Sequence, residues 1–294
     1  MTNPVVSRAA VIGLGLIGGS VAAALRQQGC YVSSYDIDVS NTASGLDLGI
    51  IDNAAETVSD AAEGAELIVV AVPILSMKEV FSAIEESFDQ PHIAITDVGS
   101  VKGEVLNSLK QVAGKIPNNF VPGHPIAGSE MNGIAAADAD LFRQHQVILT
   151  PLENTFEDST SRVAQMWQSF GADVSSMEVD HHDIVLAQTS HLPHLLAYAL
   201  IDTLSSQGDS LEIFDYAAGG LRDFSRIASS DPTMWRDILT SNSGPLLTIL
   251  DRYMAELAEV REIIEQDRTG DLFDLLQRAK QARDHFSSIL EKRS

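Results

Sequence analysis

The chain has 294 residues, of which 45% are hydrophobic and 20% charged. That is more than one ordinary domain needs, and it holds enough apolar side chain for sizeable cores in two. Lysine and arginine number 19 against 41 aspartates and glutamates, a formal net charge of −22, which would repel phosphate and argues against nucleic acid or anionic membrane as partners.

No apolar run is read as approaching the ~20 residues of a membrane span. The N-terminal "MTNPVVSRAAVIGLG" runs almost directly into a strand and leaves no room for a signal peptide. The single cysteine, Cys30, rules out an internal disulfide framework and reads as a small strand-edge residue. A cytoplasmic enzyme is the expectation.

In chain order, "AAVIG" (9–13) predicts a strand entering a glycine-rich turn. "IGGSVAAALRQQG" (17–29) predicts a helix stopped by Gly29. "YVSSYD" (31–36) and "AELIVVAVP" (65–73) predict the second and third strands, and "MKEVFSAIEESF" (77–88) an amphipathic helix. "HIAITDVGS" (92–100) predicts a fourth strand, followed by a helix at "KGEVLNSLK" (102–110). "NFVPGHP" (119–125) and "QVILTP" (146–151) predict further strands. Strands alternating with helices predict an α/β domain of Rossmann type, a parallel sheet with helices on both faces, over residues 1–174.

The pattern changes around 171–188, and an all-α domain is expected over 175–294. Its helices are "HHDIVLAQTSHLPHLLAYALIDTL", 243–266 and 271–290. They are apolar on more than one face, which predicts dimerisation through the helical domain.

"VIGLGLIGGS" carries G-x-G-x-x-G at Gly13, Gly15 and Gly18. Alone the pattern is weak, but here it follows a strand and opens a helix, as a dinucleotide site requires. The first glycine allows the tight turn, the second lets a pyrophosphate approach the backbone, and the third lets helix and strand pack closely. Asp36 ends the second strand, where a carboxylate accepts hydrogen bonds from an adenosine ribose and repels a 2′-phosphate. Asp38 is nearby, and no lysine or arginine occurs between Tyr31 and Asp60, so NAD is expected over NADP. A plain turn aspartate is the alternative. The expected cofactor-contacting set is Gly13, Gly15, Leu16, Ile17, Gly18, Asp36, Val72 and Pro73.

"TDVGSVKGE" (96–104) follows the fourth strand, which puts Ser100 and Lys102 near the expected nicotinamide. "GHPIAGSE" (123–130) follows the next strand. Its proline fixes the backbone after His124, and its glycines let the chain turn close to a cofactor. His124 is thus placed to act on a substrate oxygen, with a satisfied structural histidine as the alternative. "TSHLPH" sets Ser190 and His194 four apart on one helix face, provided the helix survives Pro193. His191 and His194 have zinc-ligand spacing but no third ligand in a recognised motif, so no metal is expected. Arg222 and Arg226 are four apart, and an arginine can grip a carboxylate through two parallel bonds.

"GLGLIGGS", "DVGSVK", "GHPIAGSE", "SHLPH" and "RDFSRIASSDPTMW", in that order, resemble the prephenate and arogenate dehydrogenases of tyrosine biosynthesis over residues 9 to 240. The resemblance implies an N-terminal dinucleotide-binding domain and a helical dimerisation domain. The implied reaction oxidatively decarboxylates prephenate to 4-hydroxyphenylpyruvate, arogenate to tyrosine, or both.

His124 matches the family's catalytic histidine, which must be neutral to accept a proton, so activity is expected to rise with pH through a histidine-like pKa. Ser100 resembles the serine bridging substrate and nicotinamide, and Arg226 the arginine holding a substrate carboxylate. Ser190, His194, Ser230 and Trp235 fall on pocket-lining positions. Glu130 resembles an acid at the pocket mouth, with helix capping as its alternative. Asp223 stands where an acid can pair with arogenate's ammonium, or instead with Arg222 or Arg226, and this tilts the expectation slightly toward arogenate. Neither a fused chorismate mutase nor a regulatory domain is expected, so tyrosine could inhibit only through the active site. The alternatives are another two-domain dehydrogenase or imine reductase, and a non-enzymatic NAD-sensing dimer.

Overall fold

The computed structural model describes residues 5–128, 131, 133–206 and 214–291. It divides into two compact units, one ending at Asn242 and the other beginning at Ser243.

Six strands form a wholly parallel sheet: β1 (Arg8–Ile12), β2 (Tyr31–Tyr35), β3 (Asn53–Ala54), β4 (Leu67–Val70), β5 (Ala94–Asp97) and β6 (Phe120–Val121). Their order is β3-β2-β1-β4-β5-β6, the doubly wound order whose switch point lies between the first and fourth strands. β4 and β5 are buried at every position, which is why "LIVV" reads as an unbroken apolar run. Helix α1 (Leu16–Gln27) buries Gly18, Gly19, Ser20 and three alanines, small residues that let it lie close on the sheet.

The expected strand at 119–125 is two strands. β6 belongs to the parallel sheet. β7 (Gly123–Ile126) starts a second sheet, pairing antiparallel with β8 (Gln146–Leu149), which pairs parallel with β9 (Asp173–Ser176). Pro122 separates them: it has no N–H for either ladder, while its carbonyl accepts from Thr150 N at 2.9 Å. His124 therefore stands on a strand, facing Ile148 in register, rather than in a loop. The helix expected over 77–88 ends at Ala83 and gives way to a single 3₁₀ turn, Glu85–Ser87.

The helix after β9 is continuous from Val179 to Ser205. Its α-helical segments, Val179–Leu186 and Leu192–Ser205, are joined by a π-helical turn, Ala187–His191. Pro193 sits in the first turn after that insertion, where its missing N–H costs least. Contrary to the sequence expectation, this 27-residue stretch is long and apolar enough to cross a membrane by length and composition alone. It also carries a buried polar pair, His182 and Asp183, that bonds to protein partners.

The unit beginning at Ser243 contains two 23-residue helices, Ser243–Glu265 and Thr269–Glu291. Large apolar side chains stand exposed on both, among them Leu247, Met254, Leu257, Phe273, Leu276 and Phe286.

Candidate active site

The glycine turn lies between β1 and α1. Gly13 has φ +93°, and a Cβ there would sit 2.4 Å from the Ala71 carbonyl oxygen and 3.0 Å from Val72 Cγ1. A Cβ on Gly18 would sit 1.9 Å from the Gly13 carbonyl oxygen, whereas a Cβ on Gly15 would meet nothing within 4 Å. The first and third glycines are thus required by the turn and the helix packing, and the second faces open space. Gly15 caps α1 without a side-chain bond, and no acid occupies the first turn, so the N–H groups at Leu16 and Ile17 face that space with the positive end of the helix dipole. Val72 and Pro73 follow β4 beside the turn. This cradle fits a dinucleotide pyrophosphate.

Asp36 directly follows β2 and is held against the same turn. Its Oδ2 accepts from Leu14 N at 2.6 Å and its Oδ1 from Asp38 N at 2.9 Å. Asp38 is occupied otherwise, capping the next helix (Val39–Asp47) through Ser40, whose hydroxyl and N–H hold its carboxyl below the usual range. Cys30 is buried, and its thiol is pushed up to about 11, chiefly by that burial, which makes it inert packing.

A buried polar cluster surrounds His124. His124 Nδ1 lies 2.9 Å from His182 Nε2, and His182 Nδ1 lies 2.8 Å from Asp183 Oδ1. Asp183 also accepts from the first N–H groups of helix α2 (Lys102–Ala113): Lys102 N to Oδ1 at 2.9 Å and Gly103 N to Oδ2 at 2.8 Å. Burial alone would raise the Asp183 carboxyl, but the bonds from His182, Gly103 and Lys102 outweigh it and hold the group below its ordinary value.

Lys102 is wholly buried. Its ammonium donates to Asp97 Oδ2 and to the Gly123 carbonyl, both at 2.5 Å. It therefore braces the residue preceding His124 instead of facing a ligand. Burial drives the His124 pKa well below its ordinary value, and the Lys102 cation, His182 and His191 add to the effect. An acid limb of activity set by His124 is therefore expected below, rather than at, an ordinary histidine pKa. Ser100 sits half-buried between β5 and α2.

The π turn continues the site. His191 is buried, its Nδ1 3.0 Å from Asn242 Nδ2, which also donates to the Asp183 carbonyl at 2.8 Å. Burial lowers the His191 pKa to about 4, with Asp183 opposing. His194 stacks on Trp235 with centroids 3.6 Å apart, and its Nδ1 bonds to the Ser190 carbonyl at 2.9 Å. Trp235 in turn lies 6.2 Å from the His191 ring. The Ser230 carbonyl accepts from the Tyr198 hydroxyl at 2.6 Å, and Asp231 caps the helix that carries Trp235.

His124, His194, Ser190 and Trp235 thus belong to one connected network. Arg226 is exposed at the start of a 3₁₀ turn, and Asp223, also exposed, accepts from Arg222 Nε at 3.2 Å. Glu130 lies outside the described residues. His182, Asp183 and Asn242 were not anticipated; the signal was "DHHD", four polar residues opening an apolar helix.

The glycine turn, the anchored acid and the buried histidine define a dinucleotide-dependent dehydrogenase. Family models described as the prephenate dehydrogenase nucleotide-binding domain and dimerization domain match residues 21–176 and 178–278. Cyclohexadienyl dehydrogenase of Zymomonas mobilis is 38% identical, covering 93% of this chain and 94% of that protein. The crystal structure of Aquifex aeolicus prephenate dehydrogenase with hydroxyphenyl propionate and NAD+ has 32% identity and a TM-score of 0.86, covering 95% of this chain and 98% of that one. Synechocystis arogenate dehydrogenase has 28% identity and a TM-score of 0.78, covering 95% and 99%. The chain belongs to the prephenate dehydrogenase family, and it is an oxidoreductase.

Proposed function

We propose that this chain carries out NAD-dependent oxidative decarboxylation of prephenate, arogenate or both, in tyrosine biosynthesis. The observation that carries the reading is His124, a buried histidine held neutral and fixed through Nδ1, in a chain of this family. When bound, NAD supplies the acceptor for the carbinol hydride, and loss of the ring carboxylate as carbon dioxide leaves an aromatic phenol. Gly13, Gly15, Leu16, Ile17, Gly18, Asp36, Val72 and Pro73 hold the cofactor, and Asp36 disfavours a 2′-phosphate.

His124 Nε2 accepts the substrate hydroxyl proton as the hydride leaves, so that an O–H bond breaks and an N–H bond forms, and it returns that proton to the oxygen once the carboxylate has departed, which gives the phenol. Ser100 orients that hydroxyl. Arg226 holds a substrate carboxylate, offsetting locally a chain charge of −22. Ser190, His194, Ser230 and Trp235 line the pocket, with Glu130 at its mouth. Because Asp223 is engaged by Arg222, its value as an ammonium partner rests on the relative rates with the two substrates.

The division at residue 174 is supported by family models that end at 176 and begin at 178. A homodimer through the helical domain is supported by the dimerization-domain match and by the exposed apolar side chains on its helices. Initial rates with NAD or NADP, and with prephenate or arogenate, test the proposal. Turnover with NAD and at least one substrate is expected. No turnover in folded protein that binds NAD overturns it.

A further inference from the structure

We infer that His182 and Asp183 are positioning residues that dictate which nitrogen of His124 carries its proton; this rests on the reading of His124 as the base.

Helix α2 turns its N-terminus toward Asp183. Two N–H groups of its first turn converge on the Asp183 carboxylate, at the positive end of the helix dipole, where an anion is stabilised. The fit is close: a Cβ on Gly103 would lie 2.9 Å from Asp183 Oδ2. An ionised carboxylate only accepts, so the hydrogen in its 2.8 Å contact with His182 sits on His182 Nδ1. His182 Nε2 is then the lone pair, and the 2.9 Å contact with His124 requires the hydrogen on His124 Nδ1. His124 Nε2 is left unprotonated, as a base for a hydroxyl must be. A reversed chain would put the hydrogen on Nε2 and leave the residue unable to accept.

The charged and titratable groups facing His124 are Lys102 with Asp97 at the β5–α2 junction, His182 with Asp183 on the helix at 179–186, and His191 on the π turn. Asp183 and Asp97 are the anions among them. Asp97 is taken up by Lys102, and Asp183 alone bonds to the histidine chain.

Long-range ¹H–¹⁵N spectra of the NAD-free protein, with His124 assigned from the His124→Asn variant, read the tautomer directly. The expected result is Nδ1–H on wild-type His124 and a mixture or reversal in Asp183→Asn. Nε2–H in the wild type overturns the inference. Kinetics give the second readout. His182→Leu, which removes the acceptor, is expected to lower kcat by about tenfold to a hundredfold, with NAD affinity unchanged. His182→Gln keeps an acceptor oxygen and is expected to recover most of that loss. Equal rates for wild type and His182→Leu, with an unchanged pH profile, overturn the inference. If the wild type turns over neither substrate, the functional reading fails, while the tautomer measurement still decides this one.

Discussion

Replacing Lys102 by methionine keeps the volume of the side chain and removes its charge from a site with no exposed surface. The ammonium holds Asp97 Oδ2 and the Gly123 carbonyl, both at 2.5 Å. Breaking a buried pair by deleting one partner costs about 3–5 kcal/mol, because the remaining charge is uncompensated. Asp97 keeps bonds from Gly99 N at 2.7 Å and Gly123 N at 3.2 Å, which places the loss near the lower end, about 3 kcal/mol. At roughly 2–4 °C per kcal/mol for a unit of this size, the melting temperature should fall by on the order of 6–12 °C.

The double variant Asp97→Asn/Lys102→Met removes the stranded charge and should regain a large part of that loss. Calorimetry or circular dichroism reads both effects. Loss of the Lys102 cation also lets the His124 pKa rise, so the acid limb of kcat/KM should move to higher pH in Lys102→Met. A melting temperature within ~2 °C of wild type, or a double variant no more stable than the single, would refute the reasoning.

Two further outcomes follow from the same geometry. Gly18→Ala places a methyl 1.9 Å from the Gly13 carbonyl oxygen; the turn must open, and NAD affinity measured by titration calorimetry should fall at least about tenfold. Unimpaired binding would show that the turn does not hold the cofactor. Acidification should destabilise the fold through His191, whose folded pKa of about 4 lies below the ordinary 6.5. The unfolded chain takes the proton first, so this contribution is complete above pH 6.5 and is lost as pH falls toward 4, by about 3 kcal/mol. The depressed pKa of His124 acts with the same sign. Urea titrations at pH 7 and 4.5 should show that His191→Gln loses less stability between the two than wild type; equal losses would contradict the assignment.

The parallel sheet was legible because "LIVV" is a continuous apolar run between turn residues, and the cofactor turn because Gly13 and Gly18 sit where no other side chain fits, while Gly15 leaves open space. The break at Pro122 was less visible, since "NFVPGHP" has the composition of one strand and only pairing partners reveal two sheets. His124 was found from its turn-like surroundings, yet its support was not. His182 and Asp183 lie nearly sixty residues downstream, and two polar residues opening an apolar helix carry no sign of what they touch. Lys102 was legible as a residue near the site, but proximity to a strand end does not say whether a long side chain turns outward or, as here, folds into the core against Asp97 and Gly123. The lowered pKa of His124 arises from burial and from Lys102, His182 and His191 brought beside it by tertiary packing, which no spacing in the sequence encodes.

The most direct test compares wild type with His124→Asn in the presence of NAD and prephenate or arogenate, following reduced-cofactor absorbance alongside NAD affinity. Turnover by the wild type, lost by about a hundredfold or more in the variant at unchanged NAD affinity, is the predicted result. A variant that turns over as fast as the wild type would contradict the account, because the buried, neutral His124 would then not be the base.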